Sequence, residues 1–97
     1  MIVVLATYDM AAEDRFEFIE SREEQVKRTQ DEPGCLEYRF CFDAFQPGRI
    51  TLIERWQTMA DLQQHVKSVE AFRATLPPET VSYSRTVLLL ESEPIES

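Results

Sequence analysis

The sequence predicts an α+β protein of the ferredoxin-like kind, β-α-β-β-α-β, built on a single antiparallel sheet. Three observations carry this. The chain begins with a β-branched apolar run. Two alternating stretches in its middle are joined by a Pro-Gly turn. Two segments of helical periodicity separate these strands from one another. At 97 residues there is room for one domain. Its core is read over about residues 2–91, followed by an acidic tail, 92–97.

Residues 2–8 read as a strand buried on both faces. Residues 11–30 read as an amphipathic helix whose narrow inward stripe is Phe16, Ile19, Glu23, Val26 and Gln30. Pro33-Gly34 stops it and turns the chain. Residues 35–42 then alternate, with Leu36, Tyr38, Phe40 and Phe42 on one face and Cys35, Glu37, Arg39 and Cys41 on the other. A turn holding Gln46-Pro47-Gly48 leads into a strand over 49–57, which puts Ile50, Leu52, Glu54 and Trp56 on one side. Thr58 and Asp61 form a capping box that starts a second helix with Leu62, His65, Val66, Val69 and Phe72 on one face. Pro77-Pro78 ends that region, and residues 80–91 make the last strand.

Two helices cover only one face of such a sheet. The first strand and the end of the last, Val87-Leu88-Leu89-Leu90, are apolar on both faces. Exposed, they would form a larger apolar patch than soluble monomers usually carry, so a homodimer burying that face is expected.

The net charge of −8, from 18 acids against 10 bases, argues against a nucleic-acid partner and against anionic membrane surfaces. No basic, cleavable leader precedes the first strand, and its apolar run is too short to span a bilayer. Cys35 and Cys41, six positions apart on one strand face, would lie about 20 Å apart, too far for a disulfide. They are expected as free thiols binding no metal, in a cytoplasmic protein. With two glycines in all, the chain has no glycine-rich phosphate loop.

A few side chains stand out chemically. Glu54 lies between Leu52 and Trp56 on a buried face, and a carboxylate there needs a partner. His65 or Arg85 can supply it. His65 is the only histidine, set on an apolar stripe, with a ring able to exchange a proton near neutral pH. Trp56 shares the Glu54 face and offers one N–H donor. Tyr38 and Tyr83, with Tyr8 as a further option, can donate to a ligand oxygen, and Arg85 can meet an anionic one.

Three segments resemble the antibiotic biosynthesis monooxygenase family: Glu32-Pro33-Gly34-Cys35-Leu36-Glu37-Tyr38, Glu54-Arg55-Trp56, and His65 with Ser68 and Phe72. The resemblance implies a dimeric α+β barrel with a pocket between sheet and helices in each subunit. It also implies oxygenation of a small aromatic, quinol or polyketide-like compound by dioxygen without metal or flavin. Catalysis would fall to His65, Glu54 and Trp56, and substrate binding to Tyr38, Tyr83 and Arg85. A branch of the same fold binds and degrades haem. There His65 would ligate iron and Trp56 would lie against the porphyrin, but such proteins use an Asn on the first strand and this chain contains none. A third reading is a non-catalytic ligand-binding dimer, favoured if Phe16, Phe40 and Phe72 fill the pocket.

Overall fold

The computed structural model describes residues 1–93. Strand β1 (Ile2–Met10) leads through a 3₁₀ turn (Ala12–Asp14) into helix α1 (Arg15–Gln30). Strands β2 (Cys35–Phe42) and β3 (Arg49–Trp56) form a hairpin. Helix α2 (Met59–Arg73) and strand β4 (Tyr83–Glu91) complete the chain. The four antiparallel strands lie in the order β2-β3-β1-β4, the α+β ferredoxin-like arrangement, with the helices on one face. Of the tail expected over 92–97, residues 94–97 lie outside the described residues.

Pairing register decides which side chains meet. Ile2, Val4, Ala6 and Tyr8 of β1 stand opposite Trp56, Glu54, Leu52 and Ile50 of β3, all on the helix side. Tyr38 pairs with Glu54 from the other flank, and Leu89 pairs with Val4. One row across the sheet therefore reads Tyr38, Glu54, Val4, Leu89. Ile2, Val4, Ala6, Tyr8, Phe18, Tyr38, Ile50, Leu52, Trp56 and Leu62 form the buried core.

Several expectations require correction. The stripe that α1 turns inward is Phe18, Arg22, Gln25 and Thr29, not Phe16, Glu23 and Gln30. Ile19 and Val26 flank it and are partly buried. The inward stripe is mostly polar because it faces hydrogen-bonding groups rather than a purely apolar core, so apolar periodicity points to the wrong side. Phe16 is exposed and rests on Phe42. In β2, a bulge between Cys35 and Glu37 breaks the alternation. Leu36 is thereby exposed, and Cys35 pairs with Trp56 on the helix side. The two free cysteines thus do not share a face, since Cys41 pairs with Thr51 at the opposite parity. Finally, β4 begins at Tyr83, and Val66 is exposed.

Gly34 explains how the turn after α1 docks. Its φ is +77°, in the left-handed region, and a Cβ there would meet the Asp61 carboxylate at 2.1 Å. Its carbonyl accepts a hydrogen bond from Gln57 N–H at 2.9 Å. The turn thereby lies against the start of α2, which Thr58 caps by accepting from Asp61 N–H at 3.1 Å. Glu32, two residues before Gly34, is carried beside α2.

Val87, Leu88, Leu89 and Leu90 are 45 to 53% exposed on the single chain, alternating between the two faces of β4. No helix among the described residues is long and apolar enough to cross a membrane.

Candidate functional site

Between the sheet and the helices lies a cavity of about 380 Å³. Its floor is Val4, Tyr8, Leu52, Glu54 and Tyr38. α2 contributes Leu62, His65, Val66 and Val69, and Arg22, Gln25, Arg73, Tyr83 and Arg85 stand around it. Phe16, Phe40 and Phe72 are not among its lining residues, so the space they were considered to fill is open.

The inner end is built around His65. Helical spacing places it one turn from Leu62 and Val69, and it is only 4% exposed. Its ring lies over Trp56, with centroids 4.7 Å apart and planes at 32°, while Tyr38 meets it edge-on at 5.3 Å. Its Nδ1 is 2.7 Å from Glu32 Oε1. Its Nε2 is 3.7 Å from Glu54 Oε1, within ion-pair range but beyond a hydrogen bond. A carboxylate at Nδ1 holds the proton on that nitrogen and leaves Nε2 as the basic one, the orienting logic of carboxylate–histidine pairs.

Glu54 is 5% exposed and accepts a hydrogen bond from Trp56 Nε1–H at 3.0 Å. Burial pushes its carboxyl above the ordinary glutamate value of 4.5. The Trp56 bond and the nearby His65 and Arg85 oppose that rise without cancelling it, and Glu32 adds to it. Trp56, fully buried, does not line the cavity; it supports His65 and tethers Glu54 from behind. Arg85, considered as a partner for Glu54, instead donates from Nε to the Tyr8 hydroxyl at 3.1 Å.

The polar face of α1 organises the rest. Arg73 donates to Gln25 Oε1 at 3.0 Å, which fixes the amide so that its nitrogen donates to the Tyr38 hydroxyl at 2.8 Å. Tyr38 is therefore an acceptor from Gln25 and keeps its own proton for an oxygen in the cavity. Burial drives the Tyr38 hydroxyl well above its usual pKa, so it stays neutral and able to donate. Tyr83 donates to Glu79 at 2.7 Å, and burial, together with that carboxylate, raises its pKa as well.

Of the residues predicted from sequence, Glu54, His65, Tyr38, Tyr83, Arg85 and Tyr8 all line this one cavity. Sequence reasoning assigned no role to Glu32, Arg22, Gln25, Arg73 or Glu79. Glu32 was visible only as the start of a turn motif. Arg22 and Gln25 sit at the i and i+3 positions of a helix, where polar residues ordinarily mark the solvent side. Among the described residues no cluster of three His, Cys, Asp or Glu side chains has the arrangement to hold a metal ion.

The sequence model of the antibiotic biosynthesis monooxygenase family matches residues 1–77. No curated protein matches the chain. A solved structure of an antibiotic biosynthesis monooxygenase superposes with a TM-score of 0.71 at 27% identity, covering 97% of this chain and all of that one. The haem degrader MhuD of Mycobacterium tuberculosis, with two haems in its active site, gives 0.82 at 14% identity over all of both chains. A protein of Pseudomonas aeruginosa gives 0.79 at 20% identity, covering 96% of this chain and 94% of that one. The last two likenesses are of fold alone.

A carboxyl whose pKa is higher folded than unfolded contributes most to stability when protonated. That contribution is lost as pH rises through the folded value. Glu54→Gln keeps the acceptor for Trp56 and removes the charge. It is expected to unfold at a higher temperature than the wild type at pH 7, with the gap closing below pH 4.5, the ordinary value of the carboxyl. Thermal melts across pH 4–8 check this; a variant less stable than wild type at pH 7 would mean the charge is favourably held.

Proposed function

Because the chain belongs to the antibiotic biosynthesis monooxygenase family, we propose that it is a cofactor-independent monooxygenase acting with dioxygen on a small aromatic, quinol or polyketide-like compound. The observation that carries this reading is the pairing of His65 with Glu32 at the inner end of a partly apolar cavity, with Nε2 turned toward the Glu54 side. The cavity volume of about 380 Å³ falls at the small end of the range for ligand pockets.

Dioxygen is a triplet, and a closed-shell organic molecule reacts with it readily only as an electron-rich anion. His65 Nε2 takes the proton of a phenol or enol, and the resulting imidazolium is stabilised by Glu32. Tyr38 donates to the anionic oxygen. The anion gives one electron to dioxygen, and the radical and superoxide so formed combine into a carbon–oxygen bond. Protonation yields a hydroperoxide. Where the oxygenated carbon bears a hydrogen, a base removes it, the O–O bond breaks, and water leaves with the outer oxygen. A CH₂ group and O₂ thus become a carbonyl and H₂O, with the substrate supplying all the electrons. Glu54, with its raised pKa, is suited to exchange the protons of the later steps.

The haem reading is less well supported. His65 is buried under Trp56 and its Nδ1 is engaged by Glu32, so an iron could reach only Nε2, in the narrow space beside the Glu54 carboxylate. The chain also lacks the Asn that haem degraders of this fold carry on the first strand.

The working unit is a homodimer, supported by the half-exposed leucines and valine of β4 and by the half-buried Val3 and Leu5 on the non-helical face of β1. Light scattering at micromolar concentration should give twice the chain mass; a monomer alone would refute this part.

Oxygen uptake with an anthrone or dihydroxynaphthalene as substrate tests the reaction. His65→Ala should lower turnover by about 10²–10⁴-fold, the usual worth of a general base, with far-ultraviolet circular dichroism unchanged. Chelators and added flavin should leave the wild-type rate as it is. Undiminished turnover in both His65→Ala and Glu54→Gln would remove the proposed bases.

A further inference from the structure

The outer end of the cavity carries a different chemistry. Three of the ten Lys and Arg in this strongly acidic chain, Arg22, Arg73 and Arg85, line it. Arg22 has a side chain only 4% exposed, an unusual place for a guanidinium. A single carboxylate, Glu79, serves both Arg22 and Arg73, at 2.5 and 3.0 Å, and also accepts from the Tyr83 hydroxyl. Arg85 has no ion-pair partner among the described residues; its one side-chain bond is to the Tyr8 hydroxyl. Glu70, also in the lining, makes no ion pair among those residues, and Glu54 is engaged with Trp56 at the inner end. With Glu79 and Glu70 both counted against the three arginines, the outer end still holds one positive charge in excess.

Glu79 reaches these arginines from outside the cavity. It stands on the irregular segment between α2 and β4, just after Pro77-Pro78, and lines a neighbouring cavity of about 270 Å³ that shares only Arg22 and Arg73 with the main one. Its side chain is 36% exposed, so it can turn to water without a large desolvation cost. Buried Arg22 cannot do the same and needs an anion beside it.

We infer that Arg22 and Arg73, with the Tyr83 hydroxyl, form a carboxylate subsite, and that Glu79 is the internal counter-ion which a substrate carboxylate replaces. This rests on the oxygenase reading of the cavity and narrows its substrate class to aromatic compounds bearing a carboxylate at the end remote from the reacting ring. Guanidinium groups bind carboxylates through parallel N–H donors, which fixes orientation as well as charge. The subsite also communicates inward. Arg73 holds the Gln25 amide, and Gln25 sets the Tyr38 hydroxyl, so an anion seated on Arg73 leaves Tyr38 aimed at the reacting oxygen.

Binding by fluorescence titration of 6-hydroxy-2-naphthoate and 2-naphthol, which differ by a carboxylate on the ring remote from the hydroxyl, tests this without turnover. The wild type should prefer the naphthoate. Glu79→Gln should raise the ratio of the two affinities by about tenfold, because the competing carboxylate is gone. Arg73→Gln should abolish the preference; it removes a partly exposed side chain and so avoids opening the buried Arg22 position. Equal affinity for both probes in wild type, or an unchanged ratio in Glu79→Gln, would overturn the subsite while leaving the cavity reading intact. Failure of both probes to bind would overturn both.

Discussion

A carboxylate on the buried face of a sheet is the constraint around which this molecule is arranged. Glu54 occupies a position where β3 otherwise presents Ile50, Leu52 and Trp56, and it is flanked in the neighbouring strands by Val4 and Tyr38. Ionised carboxylates in such surroundings are costly unless donors meet them. Trp56 supplies a donor from the same strand, and α2 brings His65 over it. The ring then requires its own orientation, which Glu32 provides. Glu32 is in place because Gly34 adopts a left-handed turn that packs on Asp61, at the capped start of the same helix. Charge burial, ring orientation, turn geometry and helix capping thus form one chain of dependence.

Much of the architecture was legible in the residues. Alternation in 35–42 and 49–57 with the Pro-Gly turn between them identified the hairpin, and Thr58 with Asp61 marked the start of the second helix to the residue. Glu54 stood out because a charge interrupts an apolar alternation, and His65 because it interrupts an apolar stripe. Both signals are local, and both residues line the cavity.

What was not legible depends on partners far away in sequence. The polar stripe of α1 reads as a solvated face until Arg22 and Gln25 are seen to bond Glu79 and Tyr38, 57 and 13 residues away. The bulge at Leu36 carries no residue signature of its own, yet it moves Cys35 onto the helix side. Trp56 was rightly placed on the Glu54 face, but only the packing of α2 shows that it backs the histidine from outside the cavity lining. These are features of tertiary fit, which periodicity does not encode.

The account stands on the protonation of one ring. With Glu32 at Nδ1, the neutral His65 imidazole carries its proton there and leaves Nε2 as the base toward the cavity. Nitrogen-15 chemical shifts of the single histidine, measured at pH 8 on the uniformly labelled protein, report both nitrogens directly. The account predicts a protonated Nδ1 and an unprotonated Nε2. A neutral ring protonated at Nε2, or an imidazolium with both nitrogens protonated at that pH, would contradict it.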